Sequence, residues 1–166
     1  MRRTNSILLV ATCVCLWSCD ATDSQDEFVT AATSTPSGFS ATDASGGLVR
    51  DEEGQIVSED TDDWRTAPFF VGKVVVRPAY PNPAVAGGTV TVPIRILQFD
   101  DVSGGLVLRT LVGEQFPLLD ELIDTSSPGE RIMQFSVAQI GEAGLHRLFI
   151  LDSFGEMVSY GDVLIE

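Results

Sequence analysis

The second half of the chain alternates hydrophobic and polar residues in short runs. The clearest run covers residues 89–97, where Val or Ile stands at every second position and Thr, Pro or Arg stands between them. This period of two is typical of a β-strand with one buried face. Pro93 lies inside the run and lacks a backbone N–H, which predicts an edge position or an interrupted pairing for this strand.

Further short runs of the same kind are separated by Gly, Asp, Ser and Asn turn signals. They cover residues 73–77, 106–112, 116–123, 131–137, 145–151 and 157–165. The first ends at Pro78 and predicts an edge strand, whereas residues 145–151 are apolar on both faces and predict a central one. Asp152-Ser153-Phe154-Gly155 predicts a three-residue hairpin loop between the last two strands.

No helical spacing of apolar residues along the chain is long enough to predict a helix. Seven strands within residues 73–166 predict an all-β fold, an immunoglobulin-like antiparallel β-sandwich of about seven strands. A domain of this length can bury a real core without help from disulfides.

The residues before the sandwich have a different composition. Between Asp20 and Asp63 there are twelve acidic residues and one Arg, with few apolar residues among Ser, Thr, Gly and Ala. Such a composition predicts a disordered segment extended by its own charge, so residues 19–63 are expected to form an acidic tether. A calcium site at residues 59–63 is the alternative, although the segment lacks the alternating carboxylates, central Gly and distal Glu of a calcium loop.

An aromatic lead-in, residues 64–72, follows the tether. Trp64, Phe69 and Phe70 fall within seven residues, and large aromatic side chains at this place are expected to pack on the following domain and seal one end of its core. The alternative is an exposed aromatic patch that binds a partner.

The first residues of the chain predict a signal peptide over residues 1–18. Two Arg follow Met1, and an apolar run of eleven residues, 7–17, is too short to span a bilayer. Leu16-Trp17-Ser18-Cys19 resembles the lipobox of bacterial lipoproteins, with Trp17 bulkier than that family usually has at this position. The resemblance implies lipid attachment at Cys19, including diacylglyceryl and fatty acyl groups such as palmitate. The alternative is an ordinary secretory signal cut nearby.

The charge balance restricts the partners of the protein. The chain carries 10 basic and 24 acidic residues, a net charge of -14. This excess argues against a nucleic-acid partner, since binding phosphates requires clustered Lys and Arg, and also against electrostatic attachment to anionic lipid. Cleavage before Cys19 would remove Cys13 and Cys15, which leaves no pair for an internal disulfide.

Tyr80-Pro81-Asn82-Pro83 predicts a rigid corner before the strand at residues 89–97. With the strand order that follows, it is similar to two related families: the immunoglobulin-like domain of flagellar hook-capping type and the C-terminal sorting domain of proteins exported by Bacteroidota. The resemblance covers residues 74–166 and implies an immunoglobulin-like fold. His146 stands where the families have Tyr, and the chain ends on Glu166 without the basic terminus of sorting domains.

The sequence contains no motif of a known catalytic or cofactor site. His146 is the only histidine, and no nucleophile elbow, zinc motif or phosphate-binding glycine loop is present. We therefore predict no catalytic residue, cofactor or metal. The predicted function is a lipid-anchored cell-envelope protein, a non-enzymatic adhesion, assembly or structural module with an unknown envelope partner, localised to the outer membrane or cell surface. The alternatives are an export signal of the sorting-domain type and an accessory ligand-binding domain with loop aromatics such as Phe99 and Phe154.

Overall fold

The computed structural model describes residues 18–102 and 104–166, with the side chains described from residue 21 onward. The predicted signal peptide lies outside the described residues, apart from Ser18. One α-helix, α1, covers Ser18–Ala32, and short 3-10 helices cover Pro68–Phe70 and Val137–Gln139. The strands are β1 (Val74–Val76), β2 (Thr89–Ile96), β3 (Leu106–Thr110), β4 (Leu118–Leu122), β5 (Gly129–Ser136), β6 (Gly144–Asp152) and β7 (Met157–Ile165).

The strands form two antiparallel sheets, which confirms the predicted sandwich. One sheet has the order β1-β2-β5 and the other has the order β4-β3-β6-β7. Consecutive strands therefore change sheet between β2 and β3, between β4 and β5, and between β5 and β6, as in immunoglobulin-like folds. β1 is an edge strand and β6 is an internal strand, as the sequence predicts.

The core lies between the two sheets and is formed by the alternating apolar positions. In β2, Val90, Val92 and Ile94 are fully buried, and in the facing sheet Leu108, Leu148 and Ile150 are fully buried. Each of these aliphatic side chains contributes about 1.5–3 kcal/mol when it is removed from water. The period of two in the sequence therefore identifies the inner face of the sandwich.

Pro93 lies in the central strand of its sheet, and this position is possible because its pairing is interrupted on one side. The carbonyl of Pro93 points toward β1, where it accepts the N–H of Arg77. Because the N–H and C=O of one residue point to the same side of an antiparallel strand, the N–H that proline lacks would also have pointed toward β1. β1 ends at Val76, beside Pro93, and the missing donor therefore interrupts no regular strand pairing. Of the two predicted explanations for Pro93, the interrupted pairing is the one observed.

The corner at Tyr80–Pro83 contains cis peptide bonds before Pro81 and Pro83. It positions Asn82, which is fully buried. The Asn82 amide donates to the carbonyls of Ser40 and Asp162, both at 3.0 Å, and its oxygen accepts the N–H of Leu164 at 2.9 Å. Asn82 thus joins the residues before the sandwich to the last strand.

The prediction that residues 19–63 form a disordered tether is wrong for the residues that the structure describes. Ser18–Ala32 is helical, and Phe28, Ala32 and Ala41 are buried. Beyond the helix, the N–H of Val49 donates to Ala41 and the N–H of Val57 donates to Val49. The segment has too few apolar residues to fold alone, but it orders because it packs on surface that the sandwich supplies.

The free edge of β7 is covered by residues from this N-terminal part. The N–H groups of Trp64 and Ala67 donate to the carbonyls of Tyr160 and Val158 at 2.6 and 2.8 Å. Trp64 is buried and lies directly over Gly161, so it packs on the face of β7 and not at one end of the core. Phe70 is also buried, as predicted, while Phe69 is 38% exposed. Covering the edge removes a site for unwanted strand pairing.

Candidate functional site

Cys19, the predicted lipid attachment residue, lies in the first turn of α1. Gln25, two turns further along the helix, fixes this part of α1 to the sandwich. Its side-chain amide donates to the carbonyl of Met157 at 3.0 Å, and its oxygen accepts the N–H of Phe69 at 3.3 Å. Gln25 is only 3% exposed, so these hydrogen bonds are protected from water.

The middle of α1 is held by aromatic packing. The rings of Phe28 and Tyr160 have centroids 5.1 Å apart and are tilted by 59°. The guanidinium of Arg65 lies 5.7 Å from the centroid of the Phe28 ring. Aromatic pairs of this geometry contribute about 0.5–1.5 kcal/mol beyond the area they bury.

The end of α1 is held by Arg147 on β6. Its guanidinium donates to the carbonyls of Ala31, Ala32 and Ser34 at 3.1, 3.0 and 2.8 Å. It also forms a two-point ion pair with the fully buried carboxylate of Asp162, at 2.8 and 2.7 Å. A cation at the C-terminus of a helix is favoured by the helix dipole and satisfies carbonyls that have no partner within the helix.

The order of these contacts gives the direction of α1. Gln25 meets Met157 at the start of β7, Phe28 meets Tyr160 in its middle, and the helix end meets Arg147, whose partner in the strand register is Asp162. The helix therefore runs beside β7 in the same direction. Its first turn, which contains Cys19, lies at the end of the sandwich where β7 begins.

Asp162 belongs to an acidic cluster with Asp63, which is also buried, and Asp60, which is half-buried. Carboxylate oxygens of the three residues lie within 4.8 Å of one another. Burial, followed by the negative charges of Asp162 and Asp60, raises the pKa of Asp63 to about 7. Burial also raises the pKa of Asp162, against the opposing effect of the Arg147 ion pair.

The oxygens of the two innermost carboxylates already have donors from the protein. Asp63 accepts the N–H of Asp162 at 2.9 Å and the N–H of Ser40 at 3.1 Å. Asp162 accepts both of its hydrogen bonds from Arg147. Two of the three carboxylates, Asp60 and Asp63, belong to the acidic stretch at residues 59–63 for which a calcium site was the alternative. The hydrogen bonds of Asp63 and Asp162 form a structural network that links the N-terminal segment to β7.

His146 lies on β6 beside a groove of about 290 Å³ between the end of α1 and the sandwich. Its Nε2 is 3.0 Å from the carbonyl of Glu142. The hydroxyls of Thr33 and Ser34, which also line the groove, donate to the helix carbonyls of Thr30 and Ala31. The two hydroxyls therefore bond the end of the helix, whereas His146 contacts the loop before its own strand.

Four apolar side chains project from loops at the end of the sandwich near the start of α1. They are Val71, Phe99, Ile123 and Phe154, with exposed fractions of 68%, 74%, 81% and 89%. The strand register places all four loops at this end, because Val74 pairs with Ile96, Leu106 pairs with both Leu122 and Asp152, and Leu151 pairs with Met157. We call these four side chains the loop face.

Two of these four loops, those that carry Phe99 and Ile123, are joined to each other. The N–H of Asp100 donates to the carbonyl of Ser126 at 2.9 Å, and Thr125 bonds both the N–H of Gly105 and the carbonyl of Val102. Thr125 is fully buried. These links bring the loop that carries Phe99 and the loop that carries Ile123 together at one end of the sandwich.

The sequence indicated Cys19, Phe99 and Phe154 separately, and the fold brings them to one end of the molecule. The acidic cluster, Arg147 and the loop face as a group were missed. No family model matches the chain, and no curated protein matches it. Among the helices that the structure describes, none combines the length and the apolar character needed to cross a membrane.

Proposed function

We propose that the protein is a lipid-anchored protein of the bacterial cell envelope, acylated on Cys19, whose sandwich serves as a non-enzymatic adhesion or assembly module. The supporting observation is the residue pattern before the cysteine, Leu16-Trp17-Ser18-Cys19, after a basic start and an apolar run. Several acyl chains on one residue bind a membrane stably, whereas a single chain gives only marginal binding.

The placement of α1 changes the arrangement that the sequence predicts for the anchored protein. A mature chain that begins at Cys19 begins within α1, because the helix covers Ser18–Ala32. Gln25, Phe28 and Arg147 fix that helix to the sandwich. The lipid would then hold the sandwich close to the membrane and not at the end of a flexible stalk.

The opposite end of the sandwich offers a surface for an envelope partner. Leu111, Phe116 and Leu118, in and beside the β3–β4 connection, are 55%, 40% and 43% exposed. Phe116 is supported by Phe149, with ring centroids 5.4 Å apart, and by Arg109, which lies 5.6 Å from its ring centroid. A supported aromatic side chain with apolar neighbours is a typical centre of a protein interface.

Metabolic labelling with an alkyne fatty acid in a Gram-negative host tests the anchor. We expect Cys19→Ala to abolish the label and the cleaved, membrane-bound form. Cys13→Ala and Cys15→Ala are matched controls, since both cysteines precede the cleavage site, and they should keep the label. Unlabelled wild-type protein, or full labelling of Cys19→Ala, would refute the proposal.

The export function stays an alternative prediction that rests on the resemblance of residues 74–166 to sorting domains. Fusion of residues 21–166, which keep the N-terminal segment that covers β7 but lack Cys19, to a periplasmic reporter tests it. A reporter that reaches the cell surface would support export, and one that stays in the periplasm would contradict it.

A further inference from the structure

The loop face and Cys19 lie at the same end of the molecule. Gln25 is level with Met157, where β7 begins, and Cys19 is six residues earlier on α1. Six helical residues span about 9 Å. Phe154 is three residues before Met157 in the hairpin, a reach of about 10 Å. The backbone at Cys19 and the tip of the hairpin thus project beyond the body of the sandwich by similar amounts.

The loop that carries Val71 lies directly beside α1. Phe69 donates its N–H to Gln25, and Val71 follows two residues later at the tip of the same loop. Apolar side chains therefore start next to the helix and continue across the end of the sandwich to Phe99 and Ile123. A lipid attached at Cys19 would bring this whole surface to the level of the bilayer.

The chemistry of the loop face suits an uncharged lipid surface. Its projecting groups are two Phe, one Ile and one Val, the side chains that gain most on leaving water. The carboxylates of Asp124 and Asp152 turn back onto their own loops, where they accept the N–H groups of Ser126, Phe154 and Glu156. With more acidic than basic residues in these loops, anionic headgroups would be repelled.

We propose that the loop face docks on the bilayer surface around the acyl chains of Cys19 and inserts Val71, Phe99, Ile123 and Phe154 among zwitterionic headgroups. This inference rests on the proposed anchor, because insertion of a few side chains alone gives weak membrane binding. The protein would thus be held at two places, and its opposite end, with Phe116, would point away from the membrane.

The cysteines of the chain allow a direct test with the acylated protein. After cleavage the only native cysteine is Cys19, whose sulfur is blocked by lipid, so an introduced cysteine is labelled alone. We would attach an environment-sensitive fluorophore to Phe154→Cys, and in separate proteins to Phe99→Cys and Ile123→Cys. Val85→Cys is the matched control, because Val85 is 62% exposed and lies at the other end of the sandwich. Each protein would be reconstituted into phosphatidylcholine vesicles with and without brominated chains.

We expect blue-shifted emission and quenching by brominated lipid at positions 154, 99 and 123, and water-like emission without quenching at position 85. A label at 154 that stays water-like in acylated, vesicle-bound protein would overturn the docking while leaving the anchor intact. A label shielded in native envelopes but not in pure lipid vesicles would also overturn it, since a protein would then cover the loop face. Mass spectrometry shows independently whether Cys19 is acylated. If it is not, both the lipid anchor and the docking of the loop face are refuted.

Discussion

The buried carboxyl of Asp63 makes the stability of the fold depend on pH in the neutral range. Its pKa is raised to about 7 from an ordinary value of 3.8, mainly by burial and then by the charges of Asp162 and Asp60. The folded protein therefore holds a proton on Asp63 under conditions in which the unfolded chain has lost it. Raising the pH removes this proton and should weaken the fold.

The sign and size of the effect follow from proton linkage. The stabilising effect of the protonated group is complete below pH 3.8 and is lost as the pH rises to about 7. Since one unit of pKa difference corresponds to about 1.4 kcal/mol, the part lost between pH 5 and pH 8 is about 3 kcal/mol. Burial also raises the pKa of Asp162, so that carboxyl can add only a slope of the same sign.

Urea unfolding of residues 19–166, with Cys19→Ala so that no lipid can be attached, measures this loss at pH 5, 6, 7 and 8. Asp63→Asn cannot ionise and should remove most of the pH dependence of the free energy of unfolding, leaving only the part that comes from Asp162. Asp62→Asn is the matched control, because Asp62 has a 67% exposed side chain, and it should keep the slope. Equal slopes in the wild type and Asp63→Asn would refute the assignment.

Three further predictions concern the contacts that hold the N-terminal segment. Arg147→Met leaves Asp162 buried without its partner and should cost about 3–5 kcal/mol, with faster hydrogen exchange in α1 and partial recovery on adding Asp162→Asn. Gly161→Ala would drive a Cβ into the indole of Trp64 and should cost about 1–3 kcal/mol by urea unfolding, but much less in a Trp64→Ala background. Asn82→Ala removes hydrogen bonds to Ser40, Asp162 and Leu164 and should lower the free energy of unfolding by about 2–3 kcal/mol in urea unfolding.

The sandwich could be predicted from the sequence because its strands carry their own signal. In β2 the alternation of apolar and polar residues follows directly from having one face in the core. Turn residues such as Gly155 mark where the strands end. The strand limits were less certain, and β4 begins at Leu118 where residues 116–123 were predicted.

The order of the N-terminal segment could not be predicted from its composition. α1 buries Gln25, Phe28 and Ala32, which lie three and four residues apart, but one of the three is polar and another is small. The apolar stripe is therefore too weak to be recognised along the chain. The helix is stabilised by its contacts with β7 and Arg147, which lie more than a hundred positions further along the chain.

The candidate sites show the same limit. Asp63 and Asp162 are 99 residues apart, and only the packing of residues 63–67 on β7 brings them together. The apolar side chains of the loop face occur singly in turns, where each is unremarkable by itself. Their common position becomes visible only from the strand register.

The central claim is that the acidic N-terminal segment is part of the folded body and fixes Cys19 beside the loop face. Pulsed electron spin resonance on unacylated residues 19–166 measures this directly, with one spin label on Cys19 and a second on Phe154→Cys or Val85→Cys. β7 is about 30 Å long, so we predict a narrow 19–154 distance that is shorter than the 19–85 distance by on the order of 20 Å. Broad distributions with equal means for the two pairs would show that the segment is a free tether and would contradict the account.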